Sequence, residues 1–500
     1  MRNALDREKL LNWLIIQGGM GAGVSDYVLA REFSIAGKGK VLGVVSGVAL
    51  NEIMVRRLQS GDPTGKIRYA LSKFPDQEIA QGIIDKYFIE GGKSPEQRYH
   101  SSPFPIFNQG DNRVLSLNKN LEELIVAANF VEVFLAKEGH DNPIGINYLY
   151  KIQWPFLPSV YGAMLAGVDA TLIGAGFPKE FSKVLDGFCT GESALIQIPV
   201  AGTEEDYFIR FDPENIFKNC PELSRPFFIG VEGNHICAKG VPDADAYVFE
   251  EKEGGGHSMP CRSGKLTARG EPKYGEKDAM DLDKLKRILD KNEEINRYRQ
   301  PFWRAGGYAG KLKLAQEEGA VGVQIGSLAA LSRHSGIYPE LRNRVLDAIL
   351  DETLDIIDEN GKLVHTVIFK DPLVSASGFP FNVTQVKGTL SERQLYDSRI
   401  RKRCDLGYLA EPYLDNGTVR LRCPGEKIED YVNKKGGNVE NTYGRGCLCN
   451  SLLTNLGYNS PNELALVTLG SDIDSIRAIV KRHGRDYGAD ECIDFARNPY

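Results

Sequence analysis

The chain has 500 residues, 42% of them hydrophobic and 26% charged, enough for one large domain with additions or for two or three domains. A formal net charge of −6 without a dense block of lysine and arginine argues against a nucleic-acid partner. No apolar run approaches a membrane span, and the first residues lack the apolar centre and cleavage site of a signal peptide. Nine cysteines, an odd number, favour reduced thiols, so we expect a cytoplasmic globular enzyme without a membrane partner.

Short apolar runs recur along the chain, and each ends in glycine or a polar residue. Such runs are typical of strands buried on both faces of a parallel sheet. Amphipathic stretches such as SDYVLAREFSIAG lie between them, so the pattern predicts an α/β fold of the (β/α)8 TIM barrel type. The alternative is an open doubly wound sheet. The runs are WLIIQGG (13–19), VLGVVSG (41–47), IGINYLY (144–150), DATLIGAG (169–176), PFFIGVEG (226–233), DAYVFEE (245–251), PFWRAGG (301–307) and AVGVQIG (320–326).

Three long insertions interrupt the predicted barrel of residues 1–351. They cover about 52–143, 177–225 and 262–299, and loops of this length often cover active sites. The second contains SALIQIPVAGTEEDYFIRFD, whose alternation predicts a β-hairpin, and the third contains a polar helical pattern. From residue 352 onwards the alternation of strands and helices stops, so 352–500 is predicted to form a mixed C-terminal accessory region.

Glycine clusters follow four of the predicted strands, as IIQGGMGAG, IGAG, WRAGG and VQIGS. Glycine allows backbone N–H groups to approach a ligand closely, and barrels commonly bind phosphate after their seventh and eighth strands. The clusters therefore predict a phosphate-bearing cofactor. GGMGAG also fits part of a Rossmann dinucleotide turn, but the second predicted strand ends in serine and glycine without the expected acidic residue.

The motifs IIQGGMGAGVS, LGVVSG, GINYL, EGGGH, RAGG and VQIGS occur in this order between residues 13 and 350. Together they resemble the nitronate monooxygenase (2-nitropropane dioxygenase) family of FMN-dependent TIM-barrel flavoproteins, which includes related flavin-dependent enoyl-thioester reductases. The resemblance implies FMN as the cofactor. It also implies that His257, in EGGGH, stands over the flavin as the catalytic base, a role that suits an imidazole because it titrates near neutrality.

The same resemblance implies a set of cofactor-binding positions at the ends of the strands. The first group would line the flavin, and the second would hold its phosphate, with serine in place of the family's threonine in Q-x-G-T. The flavin-lining positions are Gly19, Met20, Gly21, Asn147 and Gly255, and the phosphate positions are Gly306, Gly307, Gln324, Ile325, Gly326 and Ser327.

Two positions depart from the family pattern. Gly254 replaces the usual alanine, and Glu250 stands seven residues before His257, where the family often has glutamine. Glu250 is still assigned to the cofactor-binding set. A carboxylate there would change the charge near the flavin, or it would need a partner such as Lys252 or Lys151.

These observations predict an FMN-dependent oxidoreductase, of the nitronate monooxygenase type, that oxidises a small anionic or CH-acidic substrate with O2. The enzyme alternative is an NAD(P)H-dependent enoyl-thioester reductase. The alternative of another class is a non-catalytic flavin-binding subunit of a biosynthetic assembly. A homodimer is considered as the assembly, and His235, after the fifth predicted strand, as a further substrate contact.

The C-terminal cysteines form a separate question. Cys404, Cys423, Cys447 and Cys449 could bind zinc or an iron–sulfur cluster. They lack the paired C-x2-C spacing of such sites, which favours reduced structural thiols, and no metal is predicted.

Overall fold

The computed structural model describes residues 4–296, 298–351, 355–357 and 363–499. At its centre, eight parallel strands close into a barrel in which the first strand pairs with both the second and the eighth. The predicted (β/α)8 barrel is confirmed, and the alternative of an open sheet is wrong. The barrel strands, called first to eighth in chain order, are Ile15–Gln17, Val41–Ser46, Ile144–Leu149, Ala170–Gly174, Phe227–Glu232, Ala246–Glu250, Phe302–Ala305 and Gly322–Ile325.

The barrel strands are buried on both faces, which explains why their sequences are apolar throughout. Ile16, Leu42 and Val248 point into the barrel, because alternate residues of a strand face the same side. Trp303 fills the same interior, and its indole N–H donates a hydrogen bond to the backbone carbonyl of Trp13 at 2.6 Å. This packed interior supports the carboxyl ends of the strands from below.

Helices connect the strands and cover the outside of the barrel. The second helix begins where the Asp26 carboxylate accepts hydrogen bonds from two backbone N–H groups. Asp76 likewise accepts two at a later helix start, and the Asn118 side chain accepts one. No helix among the described residues is both long and apolar enough to cross a membrane. The α-helices up to residue 350 are Ala4–Asn12, Tyr27–Gly37, Leu50–Gln59, Lys66–Leu71, Gln77–Tyr87, Lys119–Lys137, Phe156–Leu165, Phe181–Cys189, Leu282–Asn296, Leu312–Glu317, Ser327–Ala330 and Pro339–Leu350.

The first and second insertions meet in one small four-stranded sheet. The predicted hairpin is confirmed, because Ala194–Ile198 pairs antiparallel with Tyr207–Phe211. Val114–Ser116, from the first insertion, lies parallel to the second of these strands and antiparallel to Asn108–Gln109. The third insertion contains the predicted polar helix, Leu282–Asn296.

The C-terminal region consists of two-stranded ribbons and short helices that share a core with the barrel. Val467 and Ile476 belong to the same apolar cluster as Ile53 and Leu328. The boundary at 351/352 stays a proposal, and residues 352–354 lie outside the described part of the chain. The ribbons are Asp355–Ile357 with Leu363–His365, Ile368–Asp371 with Phe381–Thr384, and Glu411–Asp415 with Thr418–Arg422. The α-helices are Arg393–Ser398, Leu448–Thr454, Ile473–His483 and Ala489–Arg497.

Candidate active site

A cavity of about 1110 Å³ opens at the carboxyl ends of the barrel strands. The glycine clusters after the first, fourth, sixth, seventh and eighth strands all line it, so positions that are far apart in sequence surround one space. His235 is not among the lining residues. The predicted site residues that line the cavity are Gly19, Met20, Gly21, Asn147, Glu250, Gly255, His257, Gly306, Gly307, Gln324, Ile325, Gly326 and Ser327.

One end of the cavity offers backbone donors that the protein does not use. Gly306 and Gly307 have φ angles of 73° and 75°, and a side chain at Gly306 would meet the Glu251 carbonyl oxygen at 2.6 Å. Within the described chain, the N–H groups of Gly306, Gly307 and Gly326 donate no hydrogen bond. Unused, closely spaced N–H groups fit a phosphate group, which accepts several hydrogen bonds at once.

The Ser327 hydroxyl at this end already has a partner. Its Oγ accepts a hydrogen bond from the Gly470 N–H at 2.7 Å. The hydroxyl proton remains free to donate to an anion. A segment of the C-terminal region therefore passes directly beside the predicted phosphate positions.

Beside the eighth strand, the loop after the first strand also approaches the third strand closely. A side chain at Gly19 would lie 2.5 Å from the Cβ of Asn147. The Asn147 amide donates to the Leu172 carbonyl at 3.2 Å, which fixes its orientation. Gly19 and Asn147 thus pack together as one wall of the cavity, a close approach that is possible only because residue 19 has no side chain.

His257 is held by the C-terminal region rather than by the barrel. Its Nε2 lies 2.6 Å from the Ser375 hydroxyl, and its ring meets the Phe381 ring edge-on at 5.0 Å between centroids. The backbone is tied as well, because the Asn382 N–H donates to the Gly256 carbonyl at 3.0 Å. The histidine is therefore fixed in position before any ligand binds.

Burial, and secondly the charge of Lys151, lowers the pKa of His257 to about 4. The imidazole is therefore neutral at neutral pH. Because His257 lines the cavity and its side chain is partly exposed there, solvent moderates this shift. A negatively charged ligand beside the ring would raise the pKa of His257, because the anion stabilises the imidazolium.

Lys151 places a positive charge on the same wall. Its ammonium group donates to the Ser377 carbonyl at 2.6 Å and lies 3.7 Å above the centre of the Phe379 ring. The Ser377 hydroxyl in turn lies 2.7 Å from that of Ser375, the partner of His257. A cation and a neutral imidazole joined by two serines form a wall suited to an anion.

Glu250 has a cationic partner, but neither of the two expected from the sequence. Burial raises the pKa of Glu250 to about 7, and the charge of Lys370 opposes this rise. Lys370 is 9% exposed and donates to the Lys252 carbonyl at 2.7 Å and to the Ser258 hydroxyl. The expectation of Lys252 or Lys151 is therefore wrong, because a lysine of the C-terminal region occupies the buried position instead.

The two departures from the family pattern, Gly254 and Glu250, depend on each other because they share one space. A Cβ added at Gly254 would lie 2.4 to 2.6 Å from the outer atoms of the Glu250 side chain. The Glu250 carboxyl thus occupies the space that an alanine at position 254 would fill. The Asn382 amide donates to the Gly254 carbonyl at 2.6 Å and holds this arrangement from the C-terminal side.

The sequence did not reveal the cavity residues of the C-terminal region or Glu232. Phe379, Phe381 and Thr468 line the cavity, but no motif marked them. Glu232, the last residue of the fifth strand, also lines it. The available signal for Glu232 was an acidic residue ending an apolar strand, beside the other strand ends of the barrel.

All nine cysteines are free thiols in the structure. Cys404, Cys423 and Cys449 lie close enough to interact electrostatically with one another. Across the described ranges, no group of three or more His, Cys, Asp or Glu side chains is arranged to hold a metal ion.

No family profile matches this chain, and no curated protein matches it in sequence. Similar solved structures include FabK from Thermotoga maritima, with 15% identity, 99% of this chain and 95% of that chain covered, and a TM-score of 0.45. The enoyl reductase domain of MlnA from the macrolactin biosynthesis cluster of Bacillus amyloliquefaciens has 11% identity, the same coverages and a TM-score of 0.45. Nitroalkane oxidase from Streptomyces ansochromogenes has 11% identity, coverages of 98% and 96%, and a TM-score of 0.41.

Structures of the nitronate monooxygenase family are thus among those that this chain resembles, as its motifs predicted. At these identities and scores the likeness identifies no reaction.

Proposed function

We propose that this protein is an FMN-dependent oxidoreductase that oxidises a small anionic or CH-acidic substrate with O2, as nitronate monooxygenases do. The observation that supports this most is the wall on which neutral His257 stands beside the Lys151 cation. The cation attracts an anion, and the imidazole accepts a proton or a hydrogen bond from it.

The cavity fits the proposed cofactor at both ends. The unused N–H groups of Gly306, Gly307 and Gly326 would hold the phosphate. Gly19, Met20, Gly21, Asn147, Glu250 and Gly255 would surround the ring system, and Gln324, Ile325 and Ser327 would join the phosphate end. When bound, the flavin would supply the two-electron chemistry and its reoxidation by O2.

His257 would act at the substrate in two ways. Its neutral ring can accept a proton from an acidic C–H group, and it becomes more basic when a negative charge arrives beside it. Ser375 fixes the plane of the ring through the contact at Nε2. Phe379 and Phe381 limit the access of water to this part of the cavity.

Replacing Lys151 with methionine tests whether the charge of Lys151 helps to bind an anionic substrate. The apolar stem over Phe379 is kept while the charge is lost, so we expect KM for an alkyl nitronate to rise about tenfold, or ~1.4 kcal/mol, with little change in kcat. O2 consumption with propyl-1-nitronate measures both constants. Lys252→Met is the matched control, because Lys252 is an exposed lysine of the same cavity. An unchanged KM in Lys151→Met would contradict the assignment.

One observation favours the reductase as a second candidate. The cavity of about 1110 Å³ exceeds the usual upper size of a ligand pocket, roughly 1,000 Å³. That volume leaves room for a nicotinamide or an extended thioester beside a flavin. The homodimer stays a prediction, which sedimentation of the purified protein would test.

A further inference from the structure

A buried carboxyl group that the proposed chemistry does not use faces the cavity. Glu232 ends the fifth strand, is 5% exposed and lines the cavity between the loops after the fifth and sixth strands. Its Oε1 has no hydrogen-bond partner among the described residues. A buried oxygen without a partner is costly unless a ligand or water completes it.

The residues around Glu232 fix its position but include no cation that pairs with it. The Cys237 thiol lies beside the carboxyl group and donates its own hydrogen bond to the Asn234 side chain at 3.6 Å. The next residue, Gly233, is covered by Met259, since a side chain at 233 would meet that methionine at 2.8 Å. Met259 lies two residues after His257, so the loop that carries the histidine packs directly on the end of the Glu232 strand.

No lysine, arginine or histidine of the described chain forms an ion pair with Glu232. Burial raises the pKa of Glu232 to about 8, and only the neighbouring Cys237 thiol opposes this rise. At neutral pH the group is therefore mostly a neutral carboxylic acid, with an O–H donor as well as an acceptor.

We propose that Glu232 is a substrate-contacting residue, whose buried and unpartnered carboxyl group donates a hydrogen bond to a carboxylate, nitronate or carbonyl oxygen of the substrate. The inference rests on the proposed function only in taking the cavity as the place where substrate binds. Ionisation of Glu232 removes the donor and repels an anionic oxygen, so binding of such a substrate weakens above about pH 8.

Other titratable groups lie near Glu232, as Cys237 and Tyr247 do, or line the same cavity, as Tyr274 and Asp278 do. Burial raises the pKa of Cys237, Tyr247 and Tyr274, so these three stay protonated near neutrality. Asp278 accepts hydrogen bonds from the backbone N–H groups of Arg262 and Gly275. Elsewhere on the cavity wall, Glu250 and Lys370 have pKa values of about 7 and about 8. Because they titrate in the same pH range as Glu232, the wild type and each Glu232 variant have to be compared at the same pH.

The first test needs neither substrate nor activity. Between pH 4.5 and 8 the unfolded chain ionises Glu232 while the folded protein keeps it protonated, so the wild type loses stability as pH rises through this window. Glu232→Gln cannot ionise. We expect its Tm to exceed that of the wild type by an increment that grows from near zero at pH 5 to ~3 °C at pH 9. A constant difference over this range would overturn the protonation state.

The second test measures binding of butyrate, an unreactive carboxylate, by calorimetry of the purified protein. We expect the wild-type affinity to fall at least tenfold more than that of Glu232→Gln between pH 7 and 9, and Glu232→Ala to bind weakly at both. Glu276→Gln, an exposed glutamate of the same cavity, should follow the wild type. Parallel pH profiles for wild type and Glu232→Gln, or no butyrate binding to the wild type at pH 7, would overturn the contact.

The outcomes also separate this inference from the proposed function. Glu232-dependent butyrate binding without nitronate oxidation would refute the proposed reaction and leave the contact standing. If the protein oxidises the nitronate but Glu232→Gln does not change KM at pH 9, the proposed reaction stands and the substrate contact of Glu232 is refuted.

Discussion

The His257→Ala variant of the proposed flavoenzyme is expected to keep the flavin and its yellow colour but to lose turnover by about 10² to 10⁴-fold. The ring is not part of the phosphate end or of the glycine walls, so its removal leaves the cofactor positions intact. It removes the group beside Lys151 that would accept the substrate proton. The comparison requires kcat with propyl-1-nitronate and the flavin content of each preparation.

Two controls make this result specific. His334→Ala removes a histidine that does not line the cavity and should keep wild-type kcat. Ser375→Ala keeps the imidazole but removes its hydroxyl partner, so we expect a smaller loss of about tenfold. Wild-type kcat in His257→Ala would remove the histidine from the mechanism.

The second large effect is expected from Lys370→Met, which should destabilise the protein by about 2 kcal/mol. The substitution removes a charged donor from the Lys252 carbonyl and the Ser258 hydroxyl, and it leaves Glu250 without the cation that acts on it. Both losses occur in a buried region where solvent compensates poorly. Urea unfolding near pH 7 measures the change.

The matched control is Lys252→Met, which removes an exposed lysine two residues after Glu250 and should change stability by less than about 0.5 kcal/mol. Adding Glu250→Gln to Lys370→Met removes the stranded carboxyl and should recover part of the loss. Equal stability of Lys370→Met and the wild type would show that the buried amine supports neither the loop nor Glu250.

The barrel could be predicted from the sequence because each of its strands is marked by a short, continuous stretch of residues. A strand buried on both faces needs a continuous apolar run, and the chain contains eight of them that end in glycine or polar residues. In a barrel all parallel strands end at one face, so the glycine clusters had to meet. The cofactor positions and His257 followed from that rule together with the family resemblance.

The partners of these residues could not be predicted, because they lie far away in the chain. Ser375 is 118 residues from His257, and Lys370 is more distant from Glu250 than either lysine proposed from the sequence. Short polar segments such as DPLVSAS carry no periodicity that would place them over a barrel. Which of several lysines reaches a buried carboxyl is decided by the packing of the C-terminal region, and that packing has no local signature.

The central proposal, an FMN-dependent oxidase of anionic substrates, is tested most directly by anaerobic titration of the purified protein followed by flavin absorbance. We expect a flavin spectrum that is bleached by propyl-1-nitronate, recovers when air is admitted, and does not respond to NADPH. Bleaching by NADPH and not by the nitronate would establish the reductase instead. A protein that neither contains FMN nor binds it when it is added would contradict the account altogether.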